Sequence, residues 1–354
     1  MPAAAVTIRD PRSGIPVNSM LEASAVPTGR KGYKANFLGI EVPLPEMTDD
    51  MKAELAEVQE GIGPNGNMVL DYTHYSLQFN KVKKLPVYTA VNIDGKTNLM
   101  GLPHEERSGD RWDQDDRILV DDEHFQFGNN DYKGTIFQKG HMVRYFDPAW
   151  GSSDNVKKTA MLDTFYYTNC CPQVGKYNAV VWNYLEDYYM ARAIFQDKKI
   201  TVFTGPIFNK AKKIGALLVP MNFWKVVVFK KDGELRAMGF IMSHERYLKK
   251  MEEAAIQEAV ELEAVVIRQP KLKKEDIDRL YEKKEIVDAK VKISLIEEKT
   301  GLSFGLNEAD ENHGRERLFF ETIPAIRPTD EAFHFPQPES AESTAEMIEL
   351  LEGI

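Results

Sequence analysis

The chain has 354 residues, 43% of them hydrophobic and 28% charged, a composition that excludes a wholly disordered, collagen-like or coiled-coil protein. Its two cysteines are adjacent, which excludes a disulfide framework, and no apolar run reaches the ~18 residues that a membrane span needs. The net charge of −10 argues against nucleic-acid binding. However, residues 330–354 contain seven acidic residues and no Lys or Arg, so the remainder is close to neutral and can carry a basic cleft.

Residues 1–32 are rich in Pro, Ala, Ser and Gly and lack a sustained hydrophobic period, which predicts a flexible leader. The first residues also lack the apolar stretch of a secretory signal. We therefore expect a cytoplasmic protein, with export by a non-classical route left open.

The first elements after the leader are predicted to be a short helix and two strands. The helix falls within Asp49–Gln59 and ends before a cluster of Gly and Pro. The runs Met68–Phe79 and Leu85–Ile93 alternate apolar and polar residues, as expected of a half-buried antiparallel pair. The polar loop Asp94–Asp122 that follows is long for a compact domain, and loops of that length are more often functional than idle.

The rest of the chain is predicted to form helices and four more strands. A helix over Asn178–Phe195 has apolar residues at helical spacing, and a last helix over Ile293–Thr300 runs into Gly301, which suits a helix C-cap. Two more helices are expected within residues 245–265 and 274–284. The strands are expected at Thr164–Thr168, Ile200–Phe203, Phe223–Phe229 and Leu235–Ser243.

This order of elements favours an α+β fold with a central antiparallel sheet flanked by helices. No internal repeat divides the chain. We expect one domain over residues 33–328 and, after it, an acidic tail over residues 329–354 that is disordered.

Residues able to do chemistry concentrate between positions 137 and 208. The run Gln138-Lys139-Gly140-His141 is followed closely by Arg144, so one imidazole lies between two cations. The glycine beside it would let a ligand approach the backbone closely.

Two asparagines and a carboxylate follow. Asn169 stands shortly before Pro172, which is expected to stop a strand. Asn178 and Glu186 are eight residues apart, about 80° around a helix, so both can face one cavity.

This set of side chains suits phosphodiester hydrolysis. A neutral imidazole such as that of His141 can deprotonate a water near neutral pH, and Mg²⁺ can stabilise the charge that develops on the phosphate. Mg²⁺ keeps most of its waters and takes one or two protein ligands, so a neutral Asn is sufficient and a nearby Glu can order those waters. Lys139 and the nearby arginines would bind the flanking phosphates.

The same residues form an ordered series along the chain. It consists of Gln138-Lys139-Gly140-His141, Asn169 with Pro172-Gln173, Asn178 with Trp182 and Leu185-Glu186, and Thr204-Gly205-Pro206. The series resembles the DNA/RNA non-specific endonucleases of the ββα-metal type, whose pattern is Asp-Arg-Gly-His, an Asn ahead of Pro-Gln, then Asn, Trp and Leu-Glu on the next helix, and Thr-Gly-Pro. The resemblance spans about residues 33–308 and implies a ββα-metal nuclease core.

The resemblance implies roles for individual residues. His141 would be the general base and Asn178 the direct ligand of Mg²⁺, for which Mn²⁺ can substitute. Asn169 would position the substrate or the metal's waters, and Glu186 would order those waters. The products would be 5′-phosphorylated fragments of DNA and RNA, cut with little sequence preference. Partners beyond nucleic acid, namely a homodimer and an inhibitor protein, are left open.

Three positions depart from the family's pattern. Gln138 replaces the motif's Asp and removes a charge, and Lys139 replaces its Arg, which removes the bidentate contact with phosphate. Met190 stands where the family has an Arg one turn after the helix Glu. The expected phosphate-binding residues are Lys139, Arg144 and, in the loop before the motif, Arg107 and Arg111.

Two other functions stay open on the sequence alone. The departures at Gln138 and Met190 leave room for a nuclease-like nucleic-acid-binding or structural module with weak or no turnover. A phosphodiesterase of small nucleotides is a second alternative, and it would need a narrower cleft. The retained His141, Asn178 and Glu186 favour the endonuclease.

Overall fold

The computed structural model describes residues 30–59, 61–101, 112–118, 125–196, 198–249 and 284–312. The strands are β1 Leu70–Asp71, β2 Tyr75–Asn80, β3 Leu85–Asp94, β4 Phe137–His141, β5 Cys170–Val174, β6 Lys199–Ile207, β7 Lys212–Ile214, β8 Leu217–Val219, β9 Asn222–Lys231, β10 Glu234–Ser243 and β11 Lys290–Val291. The helices are α1 Asp49–Ala53, α2 Asn129–Tyr132, α3 Asp154–Asp163, α4 Asn183–Phe195, α5 Lys284–Ala289 and α6 Ile293–Thr300. A π-helical turn, Tyr177–Trp182, leads into α4.

Seven strands form the main sheet in the order β1-β2-β3-β6-β9-β10-β11, and every neighbouring pair is antiparallel. Two smaller antiparallel ladders, β4–β5 and β7–β8, stand beside it. The predicted α+β fold with a central antiparallel sheet is therefore confirmed. None of the helices in the described ranges has the length and apolar character needed to cross a bilayer.

The main sheet is buried on both faces, because successive side chains of a strand point to opposite sides. On β9, Val227 and Phe229 pack into a core that includes α4 and the β4–β5 ladder. Val226 and Val228 face the other way, into a second core with α6 and the segment around Leu38. The helix and ladder that carry the motif residues therefore all lie on one face of the sheet.

The predicted strand Met68–Phe79 is interrupted. It divides into β1 and β2 around His74, whose φ of 69° lies in the left-handed region. The predicted strand Leu85–Ile93 is confirmed, as are the three later strands, which the structure lengthens into β6, β9 and β10.

The strand predicted at Thr164–Thr168 is wrong. Thr164 instead ends α3, a helix that begins at the N-cap Ser153, and the chain then makes a 3₁₀ turn before β5. Pro172 does not stop a strand either, because it lies inside β5 opposite Lys139. Among the described residues the β4–β5 ladder has two strands, so one edge of β5 has no paired strand there and a residue without an N–H is tolerated.

The sequence predicts the positions of the first and last helices correctly, but it extends the first helix too far. The first helix stops at Ala53, earlier than the limit of Gln59, and α6 ends as expected at Gly301, whose φ is 75°. Residues 245–249 are helical, and the remainder of the two helices predicted within 245–284 lies outside the described residues. The acidic tail and residues 1–29 of the leader also lie outside them. Arg30 packs on the body through an ion pair with Asp163 at 2.6 Å.

Candidate active site

The motif residues are organised by the β4–β5 ladder. Its register pairs Gln138 with Gln173 and His141 with Cys170. His141 is the last residue of β4, and Asn178 follows the end of β5 in the π-helical turn. One short ladder and the helix that continues it therefore carry both residues, which are 37 positions apart in the sequence: His141 lies at one end of the ladder, and Asn178 bonds to Gln138 near the other.

The half-buried ring of His141 is held between aromatic side chains. The ring centroid of Trp112 lies 4.6 Å away, and Phe165 meets the imidazole edge-on at 5.0 Å. Neither residue was singled out from the sequence, although Trp112 lies in the long polar loop that was expected to be functional. These contacts restrict the orientation of the imidazole that the sequence predicts to be the general base.

Asn169 braces the chain that follows His141. Its Oδ1 accepts the N–H of Val143, and its Nδ2 donates to the carbonyls of Val143 and Thr164, at 2.9 to 3.0 Å. The side chain is completely buried. This placement supports a positioning role for Asn169, and its expected contact with substrate or with metal waters stays a prediction.

Asn178 is oriented by Gln138, the residue that replaces the motif's Asp. The Nδ2 of Asn178 donates to the Oε1 of Gln138 at 3.0 Å, so the Asn178 oxygen is turned away from this bond. Glycine makes room for the arrangement, since a Cβ at Gly175 would lie 3.0 Å from the Gln138 Nε2. A π-helical turn at this point agrees with the frequent occurrence of such turns at functional sites.

Gln173 lies across Gly140 on the same ladder. A Cβ at Gly140 would lie 2.0 Å from the Gln173 Oε1, so any other residue at this position of the motif would displace the Gln173 side chain. The Gln173 side chain is fully buried, and neither of its amide atoms has a hydrogen-bond partner among the described residues. Buried polar groups of this kind need a partner such as an ordered water.

Glu186 lies at the first turn of α4, in a buried charge cluster formed by Arg144, Asp147, Glu186, Asp187 and Lys225. Its Oε1 is 3.2 Å from the Lys225 Nζ, and its Oε2 is 4.0 Å from the Arg144 Nε. Burial raises the pKa of Glu186 to about 7, against the attraction of Lys225 and Arg144. Its expected action on metal waters stays a prediction. Lys225, on the interior strand β9, was not predicted from the sequence.

The guanidinium of Arg144 is also buried in this cluster. It forms an ion pair with Asp187 at 2.5 Å, and the backbone N–H of Arg144 donates to Asp147, which also accepts the Tyr189 hydroxyl. Burial raises the pKa values of both Asp147 and Asp187. The placement supports a positioning role for Arg144, and its expected contact with phosphate stays a prediction.

Lys139 is the cation at the motif that stands at the surface. Its Nζ donates to the Oδ1 of Asn129 at 2.7 Å and lies 5.7 Å from the Trp112 ring, next to His141. This position is compatible with the expected phosphate contact. Arg107 and Arg111 lie outside the described residues.

The described residues do not form a metal site with several strong ligands, since they contain no group of three or more His, Cys, Asp or Glu side chains able to hold an ion. The carboxamide oxygen of Asn178 fits the other arrangement, in which Mg²⁺ keeps its waters and takes a single protein ligand. The hydrogen bond to Gln138 supports this fit because it uses the amide nitrogen and turns the oxygen away.

Comparisons with known proteins point to one family. The model of the DNA/RNA non-specific endonuclease family matches residues 56–311. The uncharacterized protein y4fB of Sinorhizobium fredii is 35% identical over 233 residues, which cover 62% of this chain and 33% of that protein. Nuclease 1, mitochondrial, of Schizosaccharomyces pombe is 31% identical, covering 50% of this chain and 56% of that protein. Human endonuclease G, mitochondrial, is 31% identical, covering 39% of this chain and 46% of that protein.

Among solved structures, a crystal structure of an EndoG/EndoGI complex matches with a TM-score of 0.48 and 20% identity, covering 68% of this chain and 86% of that chain. The chain spans between a third and a little over half of the length of the curated relatives named above. The family model covers more than half of this chain and includes the β4–β5 ladder, the π-helical turn and α4. This chain therefore belongs to the DNA/RNA non-specific endonuclease family.

Proposed function

We propose that the protein is a metal-dependent endonuclease that hydrolyses phosphodiester bonds of DNA and RNA and leaves 5′-phosphorylated fragments. The observation that carries the proposal is the ladder that holds His141 at one end and, through Gln138, the amide of Asn178 at the other. The family membership and the similarity to Nuclease 1 and endonuclease G support it.

In the proposed mechanism, His141 takes a proton from the attacking water while Trp112 and Phe165 hold its ring in place. Asn178 would hold a single Mg²⁺, which when bound would stabilise negative charge on the phosphate. Lys139 binds a neighbouring phosphate oxygen as a point charge. Asn169 and the buried charge cluster maintain the positions of the chain after His141 and of α4.

The test compares wild type with His141→Ala on plasmid DNA and total RNA, with Mg²⁺ and with EDTA. We expect metal-dependent cleavage that falls at least about 100-fold in the variant, because a positioned general base contributes on that scale. His74→Asn serves as the matched control, since His74 stacks on Trp150 and Asn tolerates its left-handed backbone. Circular dichroism confirms that both variants fold.

Two outcomes would overturn the proposal. Equal cleavage by His141→Ala and wild type would exclude His141 as the base, and binding without cleavage in Mg²⁺ or Mn²⁺ would favour a binding module. Product ends are checked with a DNA ligase, which requires a 5′-phosphate. The cytoplasmic location, the homodimer and the inhibitor protein stay predictions, for which fractionation, sedimentation and affinity capture are the direct measurements.

A further inference from the structure

A stretch of the chain that runs from β6 through the β7–β8 ladder to the end of β9 carries only positive charge. Residues 198–231 contain eight lysines and no Asp or Glu. Three of these lysines, Lys210, Lys212 and Lys213, are exposed and lie at the 3₁₀ turn after β6 and on β7.

The turn between β2 and β3 adds a fourth exposed lysine, Lys81, at the same end of the sheet. The register of β3 with β6 pairs Thr89 with Thr204, and in antiparallel strands this brings the beginning of β3 level with the end of β6. The Nζ of Lys83, in the same turn, lies 5.5 Å from the ring of Phe208, which confirms that the two segments are adjacent. We call Lys81, Lys210, Lys212 and Lys213 the basic rim.

The rim is joined to the candidate site through the β7–β8 ladder. Leu217 and Val219 of β8 are buried, and β8 lies against β5. Lys212 on β7 is opposite Val219, so β7 forms the outer strand of this ladder. The Val174 end of β5 lies nearest this ladder, because the Val174 N–H donates to His244, whose own backbone N–H donates to Met221, two residues after Val219. Since β5 leads from Val174 into the turn that carries Asn178, the rim lies at the Asn178 end of the site.

The charge of the rim is not neutralised by its surroundings. None of its four lysines forms an ion pair with a residue in the described part of the chain. Several carboxylates near the rim have a cation of their own: Glu54 pairs with Lys83, Glu245 pairs with Lys249 at 3.5 Å, and Glu298, on the helix α6 that contacts the turn of Lys210, pairs with Lys299 at 2.8 Å. A cluster of exposed and unopposed lysines attracts polyanions over a distance of about a Debye length.

We propose that the basic rim binds the sugar-phosphate backbone of a nucleic acid beyond the bond that is cleaved, on the Asn178 side of the site. The proposal rests on the proposed function for the placement of the cleaved bond. Cys170 is paired with His141, and Val174 is four residues further along β5, about 13 Å of strand. The rim therefore contacts phosphates several nucleotides away from the cleaved bond, and it favours long chains over short ones.

The test measures binding without turnover. A fluorescein-labelled DNA duplex of about 30 base pairs and an RNA of similar length are titrated in EDTA at about 50 to 200 mM KCl, the range in which phosphate contacts control affinity. The rim variant is Lys210→Glu, Lys212→Glu and Lys213→Glu together. The matched control reverses three exposed lysines elsewhere, Lys34, Lys230 and Lys292, and so changes the net charge equally. A second rim variant with Gln at the same three positions keeps the proposal testable if charge reversal disturbs the fold.

We expect the rim variant to bind at least about 10-fold more weakly, and the salt dependence of log Kd to fall by about 0.9 for each phosphate that the variant no longer neutralises. The control is expected to bind within about two-fold of wild type at the higher salt concentration, since distant surface charges are screened there. Equal weakening of binding in the rim variant and the control would show a general charge effect. Unchanged binding in the rim variants would show that the basic rim does not bind nucleic acid. Either result overturns the proposal. If wild type binds but never cleaves, and the rim variants still bind weakly, the proposed function fails and the rim proposal stands.

Discussion

At the scale of single residues, Gln138 replaces the carboxylate at the motif's first position with a neutral amide. The resemblance leads one to expect a carboxylate there, and the structure shows an amide that accepts a hydrogen bond from Asn178. Through this hydrogen bond Gln138 can orient Asn178 without a charge, because it keeps the oxygen of Asn178 turned away from β4. The replacement of Asp is thus compatible with a working site.

We predict that Gln138→Leu, which removes the acceptor while keeping a similar volume, weakens Mg²⁺ binding and cleavage by about 10- to 100-fold, the usual effect of losing a partner that orients a metal ligand. Calorimetric titration with Mg²⁺ measures binding directly, and a Mg²⁺ titration of the cleavage rate measures its consequence. Gln59→Leu, an exposed glutamine, is the control. Wild-type affinity in Gln138→Leu would show that the hydrogen bond does not position Asn178.

At the scale of elements, the buried charge cluster joins three parts of the fold. Glu186 and Asp187 belong to α4, Lys225 to β9, and Arg144 to the segment that follows β4. These ion pairs attach the helix to the sheet next to His141. Burial outweighs the attraction of the two cations at Glu186 and favours its protonated form in the folded chain, so the attachment depends on pH.

We predict that the free energy of unfolding contains a contribution from Glu186 that declines as the pH rises. The pKa of this carboxyl is about 7 in the folded chain, against an ordinary value of 4.5, so the folded state holds the proton more firmly between these values. The stabilisation is complete below about pH 4.5 and disappears as the pH rises through about 7. Urea unfolding at pH 5 and pH 8 measures it.

The comparison with Glu186→Gln isolates this contribution. Between those two pH values, wild type should lose roughly 2 kcal/mol more stability than the variant, since one pKa unit corresponds to about 1.4 kcal/mol. The control Glu308→Gln removes an exposed carboxylate and should follow wild type. Parallel pH dependences for wild type and Glu186→Gln would contradict the prediction.

At the scale of the whole molecule, one sheet separates two cores and contributes side chains to both. Val227 of β9 belongs to the core under α4, while Val226 and Val228 belong to the opposite core with α6. Trp182 lies in the first core and Trp224 in the second. The loss of either core therefore exposes the central strands of the other.

We predict a single unfolding transition in urea, with the same midpoint by circular dichroism and by tryptophan fluorescence. The variant Trp224→Phe leaves the fluorescence to report on the first core, which holds Trp112 and Trp182, and Trp182→Phe keeps Trp112 and Trp224 as reporters of the two cores. Each variant should still give coincident transitions at its own midpoint. A fluorescence change in one variant that precedes the loss of secondary structure would show that the two cores unfold separately.

Much of the candidate site could be predicted from the sequence because its signals are local. The order and spacing of His141, Asn169, Asn178 and Glu186 can be read along the chain, and α6 ends where Gly301 allows a left-handed residue. The boundaries of strands were predicted less well where they depend on residues far away in the sequence. The tolerance of Pro172 within β5 depends on which strand edges are paired, and the interruption at His74 follows from a left-handed backbone that the alternation of residue types does not reveal.

The sequence by itself determined the fold class, the family resemblance and the residues expected to do the chemistry, since strand alternation, helix caps and motif spacing involve neighbours along the chain. Only the tertiary structure decided that Asn169 turns inward to brace Val143, that Lys225 is the buried partner of Glu186, and that Trp112 lies against His141. These contacts join residues between 26 and 39 positions apart, and packing of the ladder and α4 against the sheet brings them together. No local propensity encodes such a pairing.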